Sequence, residues 1–492
     1  MAHSLSKSRI AAFEQCSRKL WLMTQRPELA EENAGTRARF ASGHVVGDVA
    51  CRQRPGGVMV EADPDLSAAL RQTKQLLADG HNGPIFEATF RFEGVLVRCD
   101  ILERRVDGSW HMVEVKSSTT AKPEHLTDLA TQLWVARGAG LRVGAASIRH
   151  LNPAFRLPES GDLSGLFVDS TQMEAIEPLV EERGAVVEAA RMVLEGAEPS
   201  VVPSSHCSKP YDCSFRTHCL AGQPSAEWPV EILPHGGGRR LARMGYTDLR
   251  DVPAELISTP GHQRIHRATV TGTVEHDALG AQAAMANWVY PRIWLDFETV
   301  SEAVPQWAGC GPWRQVPFQF SAHIETAHGV IDHVEFLQTD GADPRRACAE
   351  ALAGLPAQGS VIVWFEKFEK DRLAELAKDF PDLAMALASL RDRVVDLLPV
   401  ARDHWYHRDQ RGSWSLKRVL PTIAPQLDYA SLDVKDGAQA QDAYREAVAP
   451  DTSPERREEL EEGLRNYCLR DTKAMIIIAK SLSQDNFANL AH

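Results

Sequence analysis

The stretch from residue 111 to 118 constrains the fold of the N-terminal part of the chain most strongly. It alternates like a strand, so that Glu114 and Lys116 share one face, about 6–7 Å apart along it. An earlier strand-like run, 95–100, ends in Asp100, and Gly108 permits a turn between the two runs. An aspartate beside Glu-x-Lys can hold a divalent metal and place an ammonium next to it. This arrangement is suited to cutting phosphodiesters.

Length and charge limit the possible classes of protein. A chain of 492 residues is too long for one ordinary core, which predicts two or more domains. The net charge of −13 argues against a protein that coats nucleic acid non-specifically, but it is compatible with an acidic metal site. No apolar run is long enough to span a bilayer, and the N-terminus lacks the apolar core of a signal peptide. We therefore expect a cytoplasmic protein without a membrane partner.

The remaining pattern of the N-terminal part predicts a small mixed α/β core. A helix capped by Ser6 or Ser8 would carry Cys16 and several apolar residues on one face. The strands 85–92 and 95–102 form a predicted hairpin, and Glu87 on the first could face the same site as Asp100. The next predicted elements are a strand at 110–117, a helix at 123–138 that carries Asp128 and Gln132 on one face, a strand at 143–151 and a helix at about 171–195.

Three cysteines lie close together near the end of this region. Cys207, Cys213 and Cys219 stand in a loop that contains proline, which is poor core material. They could bind zinc with His206 or His218 as the fourth ligand. Alternatively, Cys16 could complete a set of four thiolates, which also suits an iron–sulfur cluster. Spacing alone leaves the two metals equally favoured.

Residues 4–220 resemble the RecB-like PD-(D/E)XK nucleases, specifically the iron–sulfur members such as the CRISPR-associated RecB-like exonuclease and AddB. The resemblance rests on the following segments: Ser8-Arg9-Ile10 through Cys16-Ser17-Arg18, Val97-Arg-Cys-Asp100, Glu114-Val-Lys116, Gln132 and the three later cysteines. It implies a 4Fe–4S cluster on Cys16, Cys207, Cys213 and Cys219, in place of the alternative Zn²⁺. It further implies metal binding by Asp100 and Glu114 and catalytic roles for Lys116 and Gln132. The family places a histidine at the position of Gly47, and His44, three residues earlier, is a possible metal ligand.

A segment rich in proline and glycine, 221–238, marks a domain boundary. Beyond a short helical connector that ends near residue 289, a strand places Asp296 and Glu298 on one face, as two metal-binding carboxylates require. The apolar run 361–365 predicts an interior strand. The positions after predicted strands supply two more acids, Glu369 and Asp396.

A long helix from about 454 to 482 carries Tyr467 and Asp471 four residues apart, hence on one face. With Asp296-x-Glu298 and Phe368-Glu369, this pattern resembles the DEDD 3′–5′ exonucleases of the DnaQ-like, RNase H-like superfamily, over about 290–483. The resemblance implies Mg²⁺ or Mn²⁺ bound by Asp296, Glu298, Glu369 and Asp471. Asp396 is a further candidate ligand because it follows a predicted strand in the same way. The resemblance also implies that Tyr467 orients the nucleophile.

Between these motifs, residues 404–418 interleave aromatic and basic side chains. Such a surface could stack bases and hold the phosphates of a single strand, although a half-packed loop is an equally good reading. The candidate contacts to nucleic acid are Lys417, Arg418, Arg408 and Trp414.

Together, the two resemblances predict a chain of three parts. These are a RecB-like nuclease with an iron–sulfur cluster at 1–222, a linker and helical connector at 223–289, and a DnaQ-like exonuclease at 290–492. The chain is similar to a bacterial family that joins two such nucleases, which implies trimming of nucleic-acid ends in repair, CRISPR-related processing or phage defence.

The expected substrate is single-stranded DNA, with an RNase as one alternative. A nucleic-acid-binding scaffold with one inactive centre and a structural cluster is the other. Because the sequence has no helicase-type phosphate loop, unwinding would come from a partner such as a helicase or another repair or defence protein.

Overall fold

The computed structural model describes residues 5–31, 34–221 and 226–484 of the chain. The chain divides into two compact units, of which the first comprises 1–223 and 302–314 and the second comprises 224–301 and 315–492. Both units combine β-sheets with helices, so the protein is mixed α/β. The predicted division assigned 302–314 to the exonuclease-like domain, whereas in the structure this segment packs within the first unit.

The first unit is built on a seven-stranded mixed sheet. Its strands are β1 (Leu5–Ser6), β2 (Val58–Met59), β3 (Ile85–Phe92), β4 (Val95–Arg104), β5 (Trp110–Lys116), β6 (Val143–Leu151) and β7 (Phe167–Thr171). The order is β2-β3-β4-β5-β6-β7, with β1 parallel to β4, and β5 pairs with β4 in antiparallel and with β6 in parallel fashion. The predicted β3–β4 hairpin is confirmed, since Glu93 and Gly94 both take the left-handed conformation that tight hairpin turns need.

Seven helices accompany this sheet within the described residues. They are α1 (Lys7–Gln15), α2 (Ser17–Gln25), α3 (Ala34–Arg52), α4 (Leu66–Ala78), α5 (Pro123–Gly138), α6 (Met173–Glu195) and α7 (Arg216–Ala221). The main core lies where α5 and α6 meet the sheet and buries Leu129, Leu133 and Val187. Each such side chain contributes roughly 1.5–3 kcal/mol relative to exposure. The core thereby fixes α5 against the strands that carry Asp100 and Glu114.

The predicted N-terminal helix is interrupted at Cys16. This residue has extended backbone (φ −167°, ψ 124°) and separates α1 from α2. The side chain of Gln15, just before the break, donates to the carbonyl oxygens of His206 (2.8 Å) and Tyr211 (2.7 Å). The break therefore places Cys16 against the loop that carries the later cysteines, which a continuous helix face would not do.

The second unit has a five-stranded sheet in the order β11-β10-β9-β12-β13 and a two-stranded sheet of β8 and β14. Its strands are β8 (Glu275–His276), β9 (Arg292–Ser301), β10 (Gln315–Glu325), β11 (Ile331–Leu337), β12 (Val361–Val363), β13 (Val394–Asp396) and β14 (Trp405–Tyr406). The central strand β9 is antiparallel to β10 and parallel to β12. The predicted interior strand is confirmed as β12, but it ends at Val363 because Phe365 already caps the next helix.

The helices of the second unit are α8 (Gly238–Arg243), α9 (Pro260–Thr271), α10 (Ala278–Met285), α11 (Arg345–Ala353), α12 (Glu366–Asp379), α13 (Ala384–Asp392), α14 (Leu397–His404), α15 (Leu416–Ile423), α16 (Gly437–Val448) and α17 (Pro454–Leu482). The long helix α17 begins at the N-cap Ser453, whose hydroxyl accepts from the amide of Arg456. Its buried face includes Leu464, Tyr467 and Asp471, at helical spacing. It also contacts β9, so it brings Asp471 to the strand that carries Asp296 and Glu298.

Residues 226–289 form short helical pieces with an apolar cluster of their own. This cluster includes Trp228, Leu241 and Ile265, and it also contains Tyr406 of β14. The connector thus packs as part of the second unit. Within residues 5–31, 34–221 and 226–484, no helix has the length and apolar character needed to cross a membrane.

Candidate active sites

The pairing of β4 with β5 brings the three predicted residues of the first centre together. Ile101 lies opposite Val113, so Asp100 and Glu114 stand at adjoining positions of the two strands. Asp100 accepts a hydrogen bond from the amide of Val115 (2.7 Å). This bond fixes one oxygen of Asp100 and leaves the carboxylate close to Glu114.

Helices α1 and α5 complete the surroundings of the Glu114 carboxylate. The ammonium groups of Lys7 (2.7 Å) and Lys116 (2.8 Å) both contact Glu114 Oε1. The amide of Gln132 donates to Glu114 Oε2, and Lys116 also pairs with Asp128 at 2.8 Å. The carboxylate is therefore held on both oxygens, and Lys116 is fixed between two acids.

The two carboxylates of this centre have opposite pKa shifts. Burial raises the pKa of Asp100 to about 7, and the nearby charge of Glu114 adds to this effect. Burial alone would also raise the pKa of Glu114, but the ammoniums of Lys116 and Lys7 hold it well below its usual range. Thus Glu114 is ionised at neutral pH, whereas Asp100 is only partly ionised there, and a bound cation would favour its charged form.

A cavity of about 1190 Å³ opens beside Lys116. More basic than acidic side chains line it. The basic ones are Lys7, Lys19, Arg39, Lys116, Lys122 and Lys209, and the acidic ones are Glu14, Glu124, Asp128 and Asp212. Since Lys7 and Lys116 pair with Glu114, the other four basic side chains, Lys19, Arg39, Lys122 and Lys209, are those that could meet an anionic ligand in the cavity.

The two weaker candidates for this centre, Glu87 and His44, lie in different surroundings. Glu87, which has left-handed backbone (φ 55°), pairs with Arg98 at 3.0 Å and still contributes to the raised pKa of Asp100. His44 lies on α3 with an exposed side chain. Among the described contacts, none joins His44 to Asp100 or Glu114.

Four cysteines of the first unit, Cys16, Cys207, Cys213 and Cys219, line one small cavity. Burial raises the pKa of the Cys213 thiol, and the nearby thiols of Cys207 and Cys16 raise it further. The amide of Cys213 donates to the carbonyl of Cys207 (2.8 Å). The break after α1 and the segment 207–219, whose last residues belong to α7, thus meet at this cavity.

The described residues contain one group of three or more potential ligands whose atoms all lie within 4.8 Å of one another, and it is in the second unit. It consists of Asp296 and Glu298 on β9 and Asp471 on α17. The four cysteines do not form such a group. Sulfur atoms on one tetrahedral zinc ion would lie within about 3.8 Å of each other, given Zn–S bonds of about 2.3 Å. The cysteine arrangement is therefore wider than a closed zinc site.

Two tyrosines and a lysine surround this acidic triad. The hydroxyl of Tyr429 donates to Asp471, and the ammonium of Lys417 donates to the Tyr467 hydroxyl at 2.7 Å. The same ammonium lies 4.7 Å from the centre of the Tyr467 ring and 5.5 Å from that of Tyr429. Lys417 therefore orients Tyr467 toward the triad and brings a positive charge beside it.

The carboxylates of the triad repel one another when they are ionised. Burial first, and then the charges of Asp471 and of other acids, raise the pKa of Glu298 to about 8. The pKa of Asp296 is raised well above its ordinary value by burial and by Asp471 and Glu298. Burial raises the pKa of Asp471 to about 6, against the opposing hydrogen bond from Tyr429. Such a group gains most from a bound cation.

The fourth predicted acid, Glu369, lies outside this group of three. It is buried in the first turn of α12, and Oε2 has no hydrogen-bond partner. Burial raises its pKa to about 8, and its charge affects both Asp296 and Glu298. By contrast, both carboxylate oxygens of Asp396 bind amides at the start of a helix. One accepts from Leu398 of α14 (2.9 Å) and the other from Glu366 of α12 (3.1 Å).

The predicted contacts to nucleic acid separate into two groups. Lys417 faces the triad, and Arg418 beside it is exposed. Trp414 instead packs on Tyr406, and the guanidinium of Arg408 lies 5.2 Å from the ring centre of Trp228. The structure therefore gives Trp414 and Arg408 a role in packing the connector against β14.

Lys7 and Tyr429 both contact a predicted acid directly, but neither was predicted from the sequence. Lys7 precedes Glu114 by more than a hundred residues, and Tyr429 precedes Asp471 by more than forty. Neither belongs to a motif, because short-range spacing carries no signal for such contacts. For Lys7, its place in the first turn of a capped helix was the available clue.

Residues 293–415 match the model of a domain of unknown function, DUF2779. The match covers β12, β13 and almost all of β9. It includes Asp296, Glu298 and Glu369, and it ends before Lys417. No curated protein matches the chain. One similar solved structure is described as "Crystal structure of SSO0001"; it has 14% identity over 45% of this chain and 87% of the other, with a TM-score of 0.22. A likeness at this level carries no argument about fold or function.

Proposed function

We propose that the protein is a metal-dependent phosphodiester hydrolase with two active centres that trims the ends of nucleic acids, with single-stranded DNA as the main substrate. The first unit would be a RecB-like PD-(D/E)XK nuclease, and the second a DnaQ-like, RNase H-like exonuclease. One observation carries the proposal: Asp296, Glu298 and Asp471 converge with their ligand atoms within 4.8 Å, next to Tyr467.

In the second centre, the triad would hold divalent cations, Mg²⁺ or Mn²⁺, with Glu369 as a further ligand. The donor set fits hard cations, because it consists of carboxylate oxygens whose repulsion a cation relieves. When bound, the cations supply a water of lowered pKa and stabilise the leaving oxygen. The Tyr467 hydroxyl, fixed by Lys417 at 2.7 Å, would orient the attacking water. The Lys417 ammonium would attract the phosphate next to the bond that breaks.

In the first centre, Asp100 and Glu114 would hold the cation. Gln132 fixes the orientation of Glu114 through Oε2, and Asp128 fixes the ammonium of Lys116 at 2.8 Å. From that position Lys116 would orient the attacking water and stabilise the charge that develops on the phosphate. The basic side chains that line the adjacent cavity would guide the strand to this point.

The four thiolates of Cys16, Cys207, Cys213 and Cys219 would hold a 4Fe–4S cluster. They line one cavity, yet they are spread more widely than ligands of a single zinc ion. A cluster binds each thiolate to a different iron and so fits a wider set. It would join the start of the domain to its end, since Cys16 follows α1 and the other cysteines follow α6.

The proposal is tested with 5′- and 3′-labelled single strands of DNA and RNA, incubated with Mg²⁺ or Mn²⁺. We expect wild type to shorten the DNA strands and to do so more slowly on RNA. Lys116→Ala and Asp296→Ala should each remove part of the activity. If neither substitution reduces cleavage, both site assignments are wrong; if only RNA is cut, the substrate is wrong.

A separate measurement tests the cluster. Protein purified without oxygen should be coloured and contain about four irons per chain, and Cys213→Ser should lose both the colour and the iron. A colourless preparation that contains zinc and no iron would show that the cysteines bind zinc instead.

A further inference from the structure

We infer that Trp313 contacts an unpaired nucleobase of the strand bound at the first centre. Trp313 belongs to residues 302–314, which connect β9 to β10 along the chain but pack within the first unit. The inference rests on the proposed function, and it specifies the substrate of that centre as an unpaired strand. No motif of the RecB-like domain includes this residue, since the domain ends before residue 223 in the sequence.

The segment 302–314 is firmly docked in the first unit. The amide of Leu157 donates to the carbonyl of Cys310 (2.9 Å), and the amide of Gly309 donates to the carbonyl of Leu157 (2.7 Å). Ala303 is buried in an apolar cluster with Leu157 and Phe155. Position 311 leaves no room for a side chain, because a Cβ there would lie 2.8 Å from the carbonyl oxygen of Phe155. This docking holds the neighbouring Trp313 in place.

The backbone and the indole of Trp313 are both held in unusual positions. Its φ of 58° lies in the left-handed region, which a bulky side chain rarely adopts. The indole Nε1 donates to the carbonyl of Ser117 at 2.7 Å, one residue after Lys116. The side chain nevertheless remains about one-third exposed (36%) and lines the cavity. Such local strain is a recognised mark of functional positions.

The rest of the cavity provides what an unpaired strand needs. Tyr211 lines it, and the guanidinium of Arg39 lies 4.3 Å from the centre of the Tyr211 ring. Gln15 fixes the Tyr211 segment through its carbonyl oxygen at 2.7 Å. Aromatic faces interleaved with cations bind successive bases and phosphates of single strands with little sequence preference. A base stacked on the indole would bring its phosphate toward Lys116.

The test measures cleavage in the Asp296→Asn background, in which only the first centre is expected to act. The probe is a 3′-labelled oligodeoxythymidine of about 12 nucleotides, and the compared variants are Trp313→Ala, Trp313→Phe and Trp307→Ala. We expect Trp313→Ala to raise KM about tenfold with a smaller change in kcat, as the loss of one stacked base does. Trp313→Phe should stay within about threefold, and so should Trp307→Ala, which alters the same segment outside the cavity.

A cross-link gives a readout that does not depend on cleavage. The same strand, carrying 5-iododeoxyuridine and bound in Ca²⁺ without turnover, should cross-link to the peptide that contains Trp313. If wild type cuts nothing but forms this cross-link, the proposed function fails and the contact stands. If the first centre cuts but KM is unchanged in Trp313→Ala and no cross-link forms there, the inference is wrong. Equal effects of Trp307→Ala and Trp313→Ala would also overturn it, because they would indicate undocking of the segment.

Discussion

The two candidate centres balance their charges in different ways. In the first, Glu114 contacts two ammonium groups, and its pKa lies well below the usual range even though burial acts against this. In the second, the neighbouring ammonium of Lys417 contacts a tyrosine hydroxyl rather than an acid, and the pKa of Glu298 rises to about 8. Without cations, the first centre is therefore a set of ion pairs and the second a set of repelling acids.

This difference indicates how each centre should respond to divalent cations. Cations that enter the second centre relieve a repulsion that already exists, and the ammonium of Lys417, which contacts the Tyr467 hydroxyl, does not compete with them for an acid. A cation that enters the first centre competes with Lys7 for Glu114 Oε1. We therefore expect the second centre to bind cations in the absence of substrate, and the first to bind them more weakly.

The largest expected effect comes from removing one acid of the triad. In the Lys116→Ala background, which isolates the second centre, Asp471→Asn should lower the rate of metal-dependent cleavage on the order of 10³-fold. Tyr467→Phe should lower it less, about 10- to 100-fold, because the acids that hold the cations stay in place. Initial rates on a 3′-labelled single strand with Mn²⁺ measure both. Tyr444→Phe, which alters another buried tyrosine stacked on Phe318, should change the rate little.

An intermediate effect is expected in the pH dependence of stability without divalent cations. The folded-state pKa of Glu298 is about 8 and that of Asp471 about 6, both above the values of unfolded chains. The folded state therefore holds more protons between about pH 4 and 8, and the free energy of unfolding falls as pH rises through this range. We expect a fall of roughly 2–4 kcal/mol between pH 5 and 8, which thermal unfolding in chelator measures.

Two comparisons make this pH prediction specific. Glu298→Gln should remove much of the fall, whereas Glu459→Gln on the exposed side of α17 should leave it unchanged. Addition of Mn²⁺ should reduce the fall in wild type, because bound cations favour the ionised acids. A stability that rises with pH in chelator would contradict the charge repulsion assigned to the triad.

A smaller effect is expected from Lys7→Gln at the first centre. The substitution removes one of the two ammoniums from Glu114 Oε1 and so frees that oxygen for a cation. In the Asp296→Asn background, the Mn²⁺ concentration for half-maximal cleavage should fall by about threefold, equivalent to less than 1 kcal/mol. Lys74→Gln, at an exposed position of α4, is the matched control. An increased requirement for Mn²⁺ would show that Lys7 assists the cation rather than competing with it.

Elements with strong local patterns were predictable from the sequence. The helix over 123–138 and the strand over 143–151 were predicted with the bounds that the structure shows, because their apolar periodicity is complete and turn residues flank them. The helix that carries Tyr467 and Asp471 was predicted for the same reason. By contrast, the helix break at Cys16 was not predicted, because the apolar periodicity continues across it. Gln15, just before the break, forms hydrogen bonds with a loop almost 200 residues later, which local periodicity does not reveal.

The sites were predictable where their residues share a strand or a helix. Asp296 and Glu298 stand two apart on β9, and Glu114 and Lys116 two apart on β5, which local alternation reveals. Lys7 and Tyr429 reach their acids only through tertiary packing. The docking of 302–314 in the first unit is likewise a tertiary event, and the sequence contains no periodic signal for it.

The most direct test of two independent centres is the cleavage rate of the Lys116→Ala/Asp296→Asn double variant, compared with each single variant on one labelled single strand in Mn²⁺. We predict that each single variant retains the activity of the other centre and that the double variant falls to the level without protein. A double variant that cuts as fast as either single variant would contradict the account, because the hydrolysis would then occur elsewhere in the chain.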